Sequence, residues 1–356
     1  RLLKIALNIA RRGVGLTGPN PSVGCVITYG HTIIGRGCTS AYGRPHAETI
    51  ALDQAGNNAR NATVFVTLEP CAHFGVTTPC VDRLIAAGVK RVVCPLTDPD
   101  PRVCGKGFKR LKSEGILLDF IPSAKAWAED ITSGFLSRTL KNRPYVTAKL
   151  GMSLDGKIAD HCWNSKWITS SASRNDVQKE RAMSSSILST SSTIIKDDPK
   201  LNIRKKEYLS KLKIQPPLLI LDRKLKIPLS SKIFKDTSRQ IYIFSSINTN
   251  KKYKSNVILV KTPSNNQKLS LEFIIKYVAK QNINNIFIES GPNLLSSLIT
   301  DNLVDEFLFY IAPKILGNNS KSFNSITYIN KLSQKIDYHI NYTEQINNDL
   351  KMSLTK

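Results

Sequence analysis

Three short segments of this 356-residue chain carry groups that can do metal chemistry: His46-Ala47-Glu48, Glu69-Pro70-Cys71 and Pro79-Cys80. One imidazole and two thiolates form a three-ligand set for catalytic zinc, with the fourth position left to water. Zinc acidifies that water, so hydroxide becomes available near neutral pH. Glu48, two residues past the histidine and not itself a ligand, is placed to move protons. A single His-x-Glu or a single cysteine says little, because most lone cysteines are small core residues. The conjunction is what points to zinc. A purely structural zinc would need a fourth protein ligand and would leave Glu48 without a role.

The set matches the H-x-E…P-C-x-x-C signature of zinc nucleobase deaminases, with one departure. Cys71 and Cys80 are separated by the eight residues 72–79 instead of two, an insert that can line a larger substrate than a free base. The remaining cysteines, Cys25, Cys38, Cys94, Cys104 and Cys162, read as structural, and His31 and His161 as surface or packing residues.

The elements that must hold these groups follow from residue patterning. An amphipathic helix opens the chain. Strands at Val23–Thr28 and Thr32–Gly35 flank a turn at Tyr29-Gly30-His31, and Ala47–Ala55 is a helix that His46 and Glu48 would open. Ala62–Leu68 reads as a strand covered on both faces, and Val81–Ala87 as a helix ending at Gly88. Cys71 then falls between a strand end and a helix start, and helix starts favour thiolate over thiol. Strand Val89–Pro95, helix Phe108–Glu114 and strand Ile116–Phe120 complete an α/β layered domain. Ala124–Leu140 reads as one long helix, and Pro144 marks a boundary, giving domains 1–143 and 144–356. The second half predicts strands at Tyr145–Leu150, Ser186–Ser189, Leu218–Asp222, Gln240–Phe244, Val257–Val260, Asn285–Glu289 and Glu306–Ala312. Helices are expected near Ala172–Met183, at Leu269–Gln281 and after Gly291-Pro292-Asn293.

The formal net charge is +24, from 51 Lys+Arg against 27 Asp+Glu. Such an excess raises nucleic acid as a partner. It is spread along the chain, its clusters are as short as Arg204-Lys205-Lys206 and Lys251-Lys252, and no aromatic residues interleave for base stacking. The pattern describes a solvated lysine-rich surface rather than a nucleic-acid arm. No run of about 18 apolar residues exists, so no membrane span is expected. Seven cysteines without a secretory signal point to free thiols or metal ligands in a reducing, cytoplasmic compartment.

Longer segments carry a specific resemblance. Gly18-Pro-Asn-Pro-Ser-Val-Gly24, Pro45-His-Ala-Glu48 and Glu69 through Cys80 resemble the deaminase half of the bifunctional riboflavin-biosynthesis deaminase/reductase family, which shares the long Cys–Cys spacing. Lys149 through Lys157, Trp167-Ile-Thr-Ser170, Asp197-Asp-Pro-Lys-Leu201, Glu289-Ser-Gly-Pro-Asn-Leu294 and Ala312 through Gly317 resemble its reductase half. The resemblance implies a cytidine-deaminase-like α/β/α domain followed by a dihydrofolate-reductase-like α/β domain. It also implies two steps on one small pyrimidine ribonucleotide. These are zinc-dependent hydrolytic deamination of 2,5-diamino-6-ribosylamino-4(3H)-pyrimidinone 5′-phosphate, then NADPH-dependent reduction of the ribosyl chain to ribityl.

By the resemblance His46, Cys71 and Cys80 hold Zn2+, Glu48 shuttles the proton, and Asn20 and His73 contact substrate. Val76 stands where many relatives carry Arg or Lys, and Thr78 where they carry Pro. In the second half Met152, Trp167, Thr193, Asp197 and the turn Gly291, Pro292, Asn293, Leu294, Leu295, Ser296 and Ser297 would line the NADPH site. Ser165, Arg181, Leu201, Arg204 and Glu289 would hold substrate. Asp197 is the acid/base candidate, while Asp198 and Asp155 read as turn-forming residues. The expected partners are small molecules, with no nucleic acid and no membrane, and a homo-oligomer is permitted. The competing reading, a tRNA-type nucleic-acid deaminase with a basic appended domain, gives no account of the 149–157 and 197–201 motifs.

Overall fold

Leu3, Ala6, Leu7 and Ala10 recur at helical spacing, and they form the buried face of α1 (Leu2–Gly13) in the computed structural model. The structure describes residues 1–75, 77–212, 214–327 and 329–356. Val76, where the sequence departs from its relatives, therefore lies outside the described residues. The chain divides into two units, Arg1–Arg143 and Pro144–Lys356.

In the first unit α1 is followed by β1 (Gly24–Tyr29), β2 (Thr32–Cys38), α2 (Ala47–Ala55), β3 (Thr63–Val66), α3 (Cys80–Ala86), β4 (Arg91–Cys94), α4 (Lys106–Ser113) and β5 (Leu117–Phe120). The strands make one sheet in the order β2-β1-β3-β4-β5. β1 runs antiparallel to β2 and β3, and β3, β4 and β5 are parallel.

Pairing shows the layers. Gly24 opposes Cys38 and Cys25 opposes Gly37. Cross-strand partners share a face and neighbours alternate, so Gly24 and Gly37 look to opposite sides. A Cβ on Gly24 would meet the Ala6 carbonyl of α1, and one on Gly37 would stand 2.0 Å from the Ala47 carbonyl of α2. One helix therefore covers each face, the α/β/α arrangement expected. The expected single helix over 124–140 is two, α5 (Lys125–Ile131) and α6 (Ser133–Lys141). At the break, Thr132 Oγ1 donates to the Ala128 carbonyl at 2.7 Å, the back-bonding that bends helices.

The second unit opens with β6 (Tyr145–Ser153) and β7 (Lys157–Ala159), then α7 (Ser171–Ala182), β8 (Ile187–Thr190), α8 (Ser191–Asp197), α9 (Lys206–Leu209), β9 (Leu218–Leu221), β10 (Ile241–Ser245) and β11 (Val257–Lys261). The short pair β12 (Ser264–Asn265) and β13 (Lys268–Leu269) leads to α10 (Leu271–Lys280), β14 (Asn285–Ile288), α11 (Pro292–Thr300), β15 (Glu306–Ala312), β16 (Lys321–Ser322), β17 (His339–Ile346) and β18 (Asp349–Thr355). Nine strands form a sheet in the order β11-β10-β9-β8-β14-β6-β15-β18-β17. It is parallel from β11 to β15 and antiparallel beyond.

Sequence patterning did not mark β17 and β18, because the inward row of β18 is polar: Asp349, Lys351 and Ser353 are buried. Each has a partner. Asp349 accepts from Ser170 N and Ser173 Oγ, Lys351 Nζ meets Asp176 at 2.6 Å and Glu180 at 2.7 Å, and Ser353 donates to Glu306. No helix among the described residues is long and apolar enough to cross a membrane.

The contact of Gly37 with α2 matters for chemistry, because α2 begins at the expected zinc ligand. Gly37→Ala should force α2 away from β2 and cost about 1–3 kcal/mol, the penalty of overpacking. Urea unfolding would measure the loss, and zinc analysis of the purified variant should show less than one ion per chain.

Candidate functional site

His46 is the N-cap of α2, with extended backbone, and Glu48 lies in that helix's first turn. Cys80 is the first residue of α3, directly after Pro79. Cys71 lies in the loop entering the 72–79 insert, and its Sγ accepts the Cys80 backbone N–H at 3.4 Å.

Two helix starts and one loop thus converge. His46 Nδ1 lies 3.2 Å from Cys80 Sγ and 3.6 Å from Cys71 Sγ. A tetrahedral ion with its usual Zn–N and Zn–S bond lengths would set nitrogen and sulfur about 3.6 Å apart. His46, Cys71 and Cys80 are a ready ligand set, with all donor atoms within 4.8 Å of one another. The donor chemistry fits zinc, and among the described residues the ligand group here is these three, leaving a fourth position as in a catalytic site.

Electrostatics point the same way. Glu48 is 4% exposed. Burial first, and then the Cys71 thiolate, push its carboxyl up to about 7, where a group can both take and give a proton at neutral pH. The Cys71 thiol is drawn down to about 4 by the Cys80 hydrogen bond and by His46, which outweigh burial, while the Cys80 thiol is raised. The two sulfurs share one proton, which a dication would displace.

The wall of this site is built by close approach. Gly43, at φ +89°, could not carry a side chain, since a Cβ there would stand 1.7 Å from Asn20 Nδ2. The Asn20 amide is thereby seated against the segment that leads into His46. His73 Nδ1 is buried with no partner among the described residues, an orphan that suits a ligand atom. Glu69, quoted in the motif without a role, accepts the backbone N–H groups of Asp98, Gly105 and Phe108 at 3.0–3.2 Å. It ties the 98–108 segment to the corner that carries Cys71.

In the second unit a cavity of about 1270 Å³ opens over the sheet. It is larger than a pocket for one drug-sized molecule, about 300–1,000 Å³. Its wall carries eight Lys and Arg side chains against Asp197 and Glu289, so it favours polyanions. Ser165, Trp167, Arg181, Thr193, Asp197, Leu201, Arg204, Glu289 and Gly291 through Leu294 all line it. Gly291 caps α11 with Pro292 in its first turn, and that end of the helix offers free N–H groups to a phosphate. The fit to a phosphorylated dinucleotide is good.

The cavity wall does not take in every expected residue. Met152 and Leu295 belong to the apolar core. Ser296 and Ser297 turn their hydroxyls back to the carbonyls of Pro292 and Asn293. A helix shows only one face to a ligand, so of the 291–297 run the cavity meets the first four residues.

Arg181 and Glu289 are engaged with each other. Arg181 Nε and Nη2 meet the Glu289 oxygens at 2.6 and 3.0 Å, Nη1 donates to the Asn202 carbonyl, and Lys149 Nζ joins at 3.3 Å. Sequence reading singled out both members of this pair but not Lys149. Its signal is a lysine in the half-buried row of strand β6. Burial pushes the Glu289 carboxyl up, but Arg181 and Lys149 outweigh it and hold it at about 2. Trp167 is stacked by Arg174 at 4.2 Å. Asp155 accepts from Ser153 Oγ and from the Leu316 and Gly317 amides, stapling two motifs together as a turn residue should. Asp198 accepts the Lys232 N–H and closes α8. Cys162, expected to be structural, is exposed and lines the cavity.

Residues 144–351 match the family model of the RibD C-terminal domain, and residues 1–96 that of the cytidine and deoxycytidylate deaminase zinc-binding region. The chain is 42% identical to the riboflavin biosynthesis protein RibD of Haemophilus influenzae, over 98% of this chain and 95% of that protein. It is 37% identical to the Escherichia coli K12 protein of the same name, over 98% and 97%. Among solved structures, Acinetobacter baumannii RibD (form 1) is similar at 35% identity and a TM-score of 0.89, over 99% of this chain and 97% of that one.

A carboxyl held at about 2 when folded, against about 4.3 when unfolded, stabilises the fold above the higher value and loses that contribution as pH falls toward the lower. Glu289→Gln should therefore be less stable than the parent at pH 7, by about 3 kcal/mol. The gap should narrow steadily between pH 4 and pH 2. Urea midpoints across that range measure it, and a gap independent of pH would refute the ion-pair account.

Proposed function

The chain belongs to the RibD family of bifunctional riboflavin-biosynthesis enzymes, and from that membership we propose how its residues divide the work. The enzyme deaminates a pyrimidine ribotide with zinc and then reduces it with NADPH. We assign deamination of 2,5-diamino-6-ribosylamino-4(3H)-pyrimidinone 5′-phosphate to residues 1–143 and reduction of the ribosyl chain to ribityl to residues 144–356. The observation that carries the first assignment is the convergence of His46, Cys71 and Cys80 beside a buried Glu48.

When bound, zinc supplies an acidified water at neutral pH. His46 Nδ1 and the two thiolates would hold the ion. Glu48, tuned to about 7, takes the proton of the attacking water and passes it to the leaving ammonia. Asn20 and His73 fix the pyrimidine and its sugar over that carboxyl.

In the second half NADPH supplies the reducing equivalents, and the protein supplies position. The first turn of α11 and Thr193 would receive the cofactor's phosphates, with Trp167 beside them on the cavity wall, while Met152 packs in the core behind them. Ser165, Leu201 and Arg204 hold the ribotide, over a floor set by the Arg181–Glu289 pair. Asp197, at the end of α8 on the cavity wall, is the acid/base group for the sugar. The cavity's basic wall is thus explained by phosphates on two small molecules. An appended nucleic-acid-binding domain is not needed, because the reductase half accounts for the second unit. The free thiols suit a reducing, cytoplasmic compartment.

Glu48→Gln should lower ammonia release from the diaminopyrimidine ribotide by about 10²–10⁴-fold. NADPH oxidation with the deaminated compound supplied directly should stay at the parent rate. Loss of both activities in a folded, zinc-loaded variant would show that the two sites are not separate.

A further inference from the structure

The deaminase substrate carries a phosphate, and none of the groups so far placed at the zinc site is a cation able to meet it. We propose that Arg44 is the side chain that recognises this phosphate, an inference that rests on the deaminase reading above. Arg44 lies two residues before His46 and is half-buried. Its Nη1 donates to Thr77 Oγ1 at 2.7 Å and comes within 3.5 Å of His46 Nε2. A Cβ on Gly75 would stand 3.5 Å from its Nη2. The guanidinium therefore lies beside the insert between the two cysteines, at the Nε2 edge of the imidazole whose Nδ1 edge meets the thiols.

That position matches the shape of the substrate. The imidazole separates the guanidinium from the point where the three ligands meet, just as the sugar separates the phosphate from the base. A ribotide with its ring over Glu48 carries its phosphate outward, toward the insert. Arg44 is also the cation with capacity to spare. Arg102 is committed to the Asp100 carboxylate through Nε at 3.0 Å to both oxygens, and Arg138 donates to the Pro19 carbonyl. Arg44 has a hydroxyl and an imidazole as neighbours and no carboxylate among the described residues. A guanidinium with unspent N–H groups in a fixed fork is the group that binds phosphate bidentately. The eight-residue insert then has a function: Thr77 anchors the guanidinium, and Gly75 lies beside it.

The test compares deamination of the 5′-phosphate with deamination of the same compound after phosphatase treatment, in the wild type, Arg44→Ala and Arg44→Gln. The glutamine can still donate to Thr77 but carries no charge, and it decides the matter should the alanine variant fail to fold. In zinc-loaded variants the ratio of kcat/KM for the two substrates should fall by about tenfold or more, chiefly through KM of the phosphate ester. If Arg44→Gln binds zinc and keeps the wild-type ratio, Arg44 does not read the phosphate. Wild-type protein that deaminates neither compound would instead overturn the deaminase reading, and this inference with it.

Discussion

Charge taken out of water must be matched within a few ångströms, and both halves of this protein are organised around that constraint. In the first unit Glu48, Cys71 and Cys80 put one carboxyl and two thiols at one point under helix α2. Without a dication, protons are redistributed so that one sulfur is ionised and the other is not. With it, both sulfurs are ionised, and Glu48 is the group left to carry a proton. The raised carboxyl of Glu48 is in this sense a by-product of how the buried charge is balanced.

The second unit meets the same constraint without metal. Glu289 is balanced by Arg181 and Lys149 at the floor of the cavity. Lys351 is balanced by Asp176 and Glu180 beneath helix α7. The first set lies on the wall of the cavity. The second locks the last hairpin, β17 and β18, onto the sheet. Truncating Glu289 or Lys351, each the shared partner of two opposite charges, would leave those charges unmatched, which costs far more than the ion pair itself contributes.

Positioning follows from backbone proximity. Gly37 lets α2 lie directly on β2, and Gly43 lets the Asn20 amide close over the segment before His46. These contacts fix where the first turn of α2 and the Asn20 amide lie. The same proximity carries Arg44 across to Thr77.

The amino-acid sequence by itself determined the layered α/β class, nearly every strand and helix of the first unit, and which imidazole and thiols, those of His46, Cys71 and Cys80, come together as a candidate metal-ligand set. Each of these is local: hydrophobic period, glycine and proline punctuation, and ligand types at fixed spacing. It also named a good part of the residues that line the second cavity, several of them in contiguous motifs. What it could not disclose depends on partners far along the chain. The β17–β18 hairpin was invisible because its buried row is Asp349, Lys351 and Ser353, which read as solvent-facing until α7 supplies their partners. The break at Thr132 was hidden inside a regular helical pattern. The burial of Glu48, the mutual engagement of Arg181 with Glu289, and the reach of Arg44 to the insert were decided only by tertiary structure, since desolvation and pairing exist only once distant segments have closed around a charge.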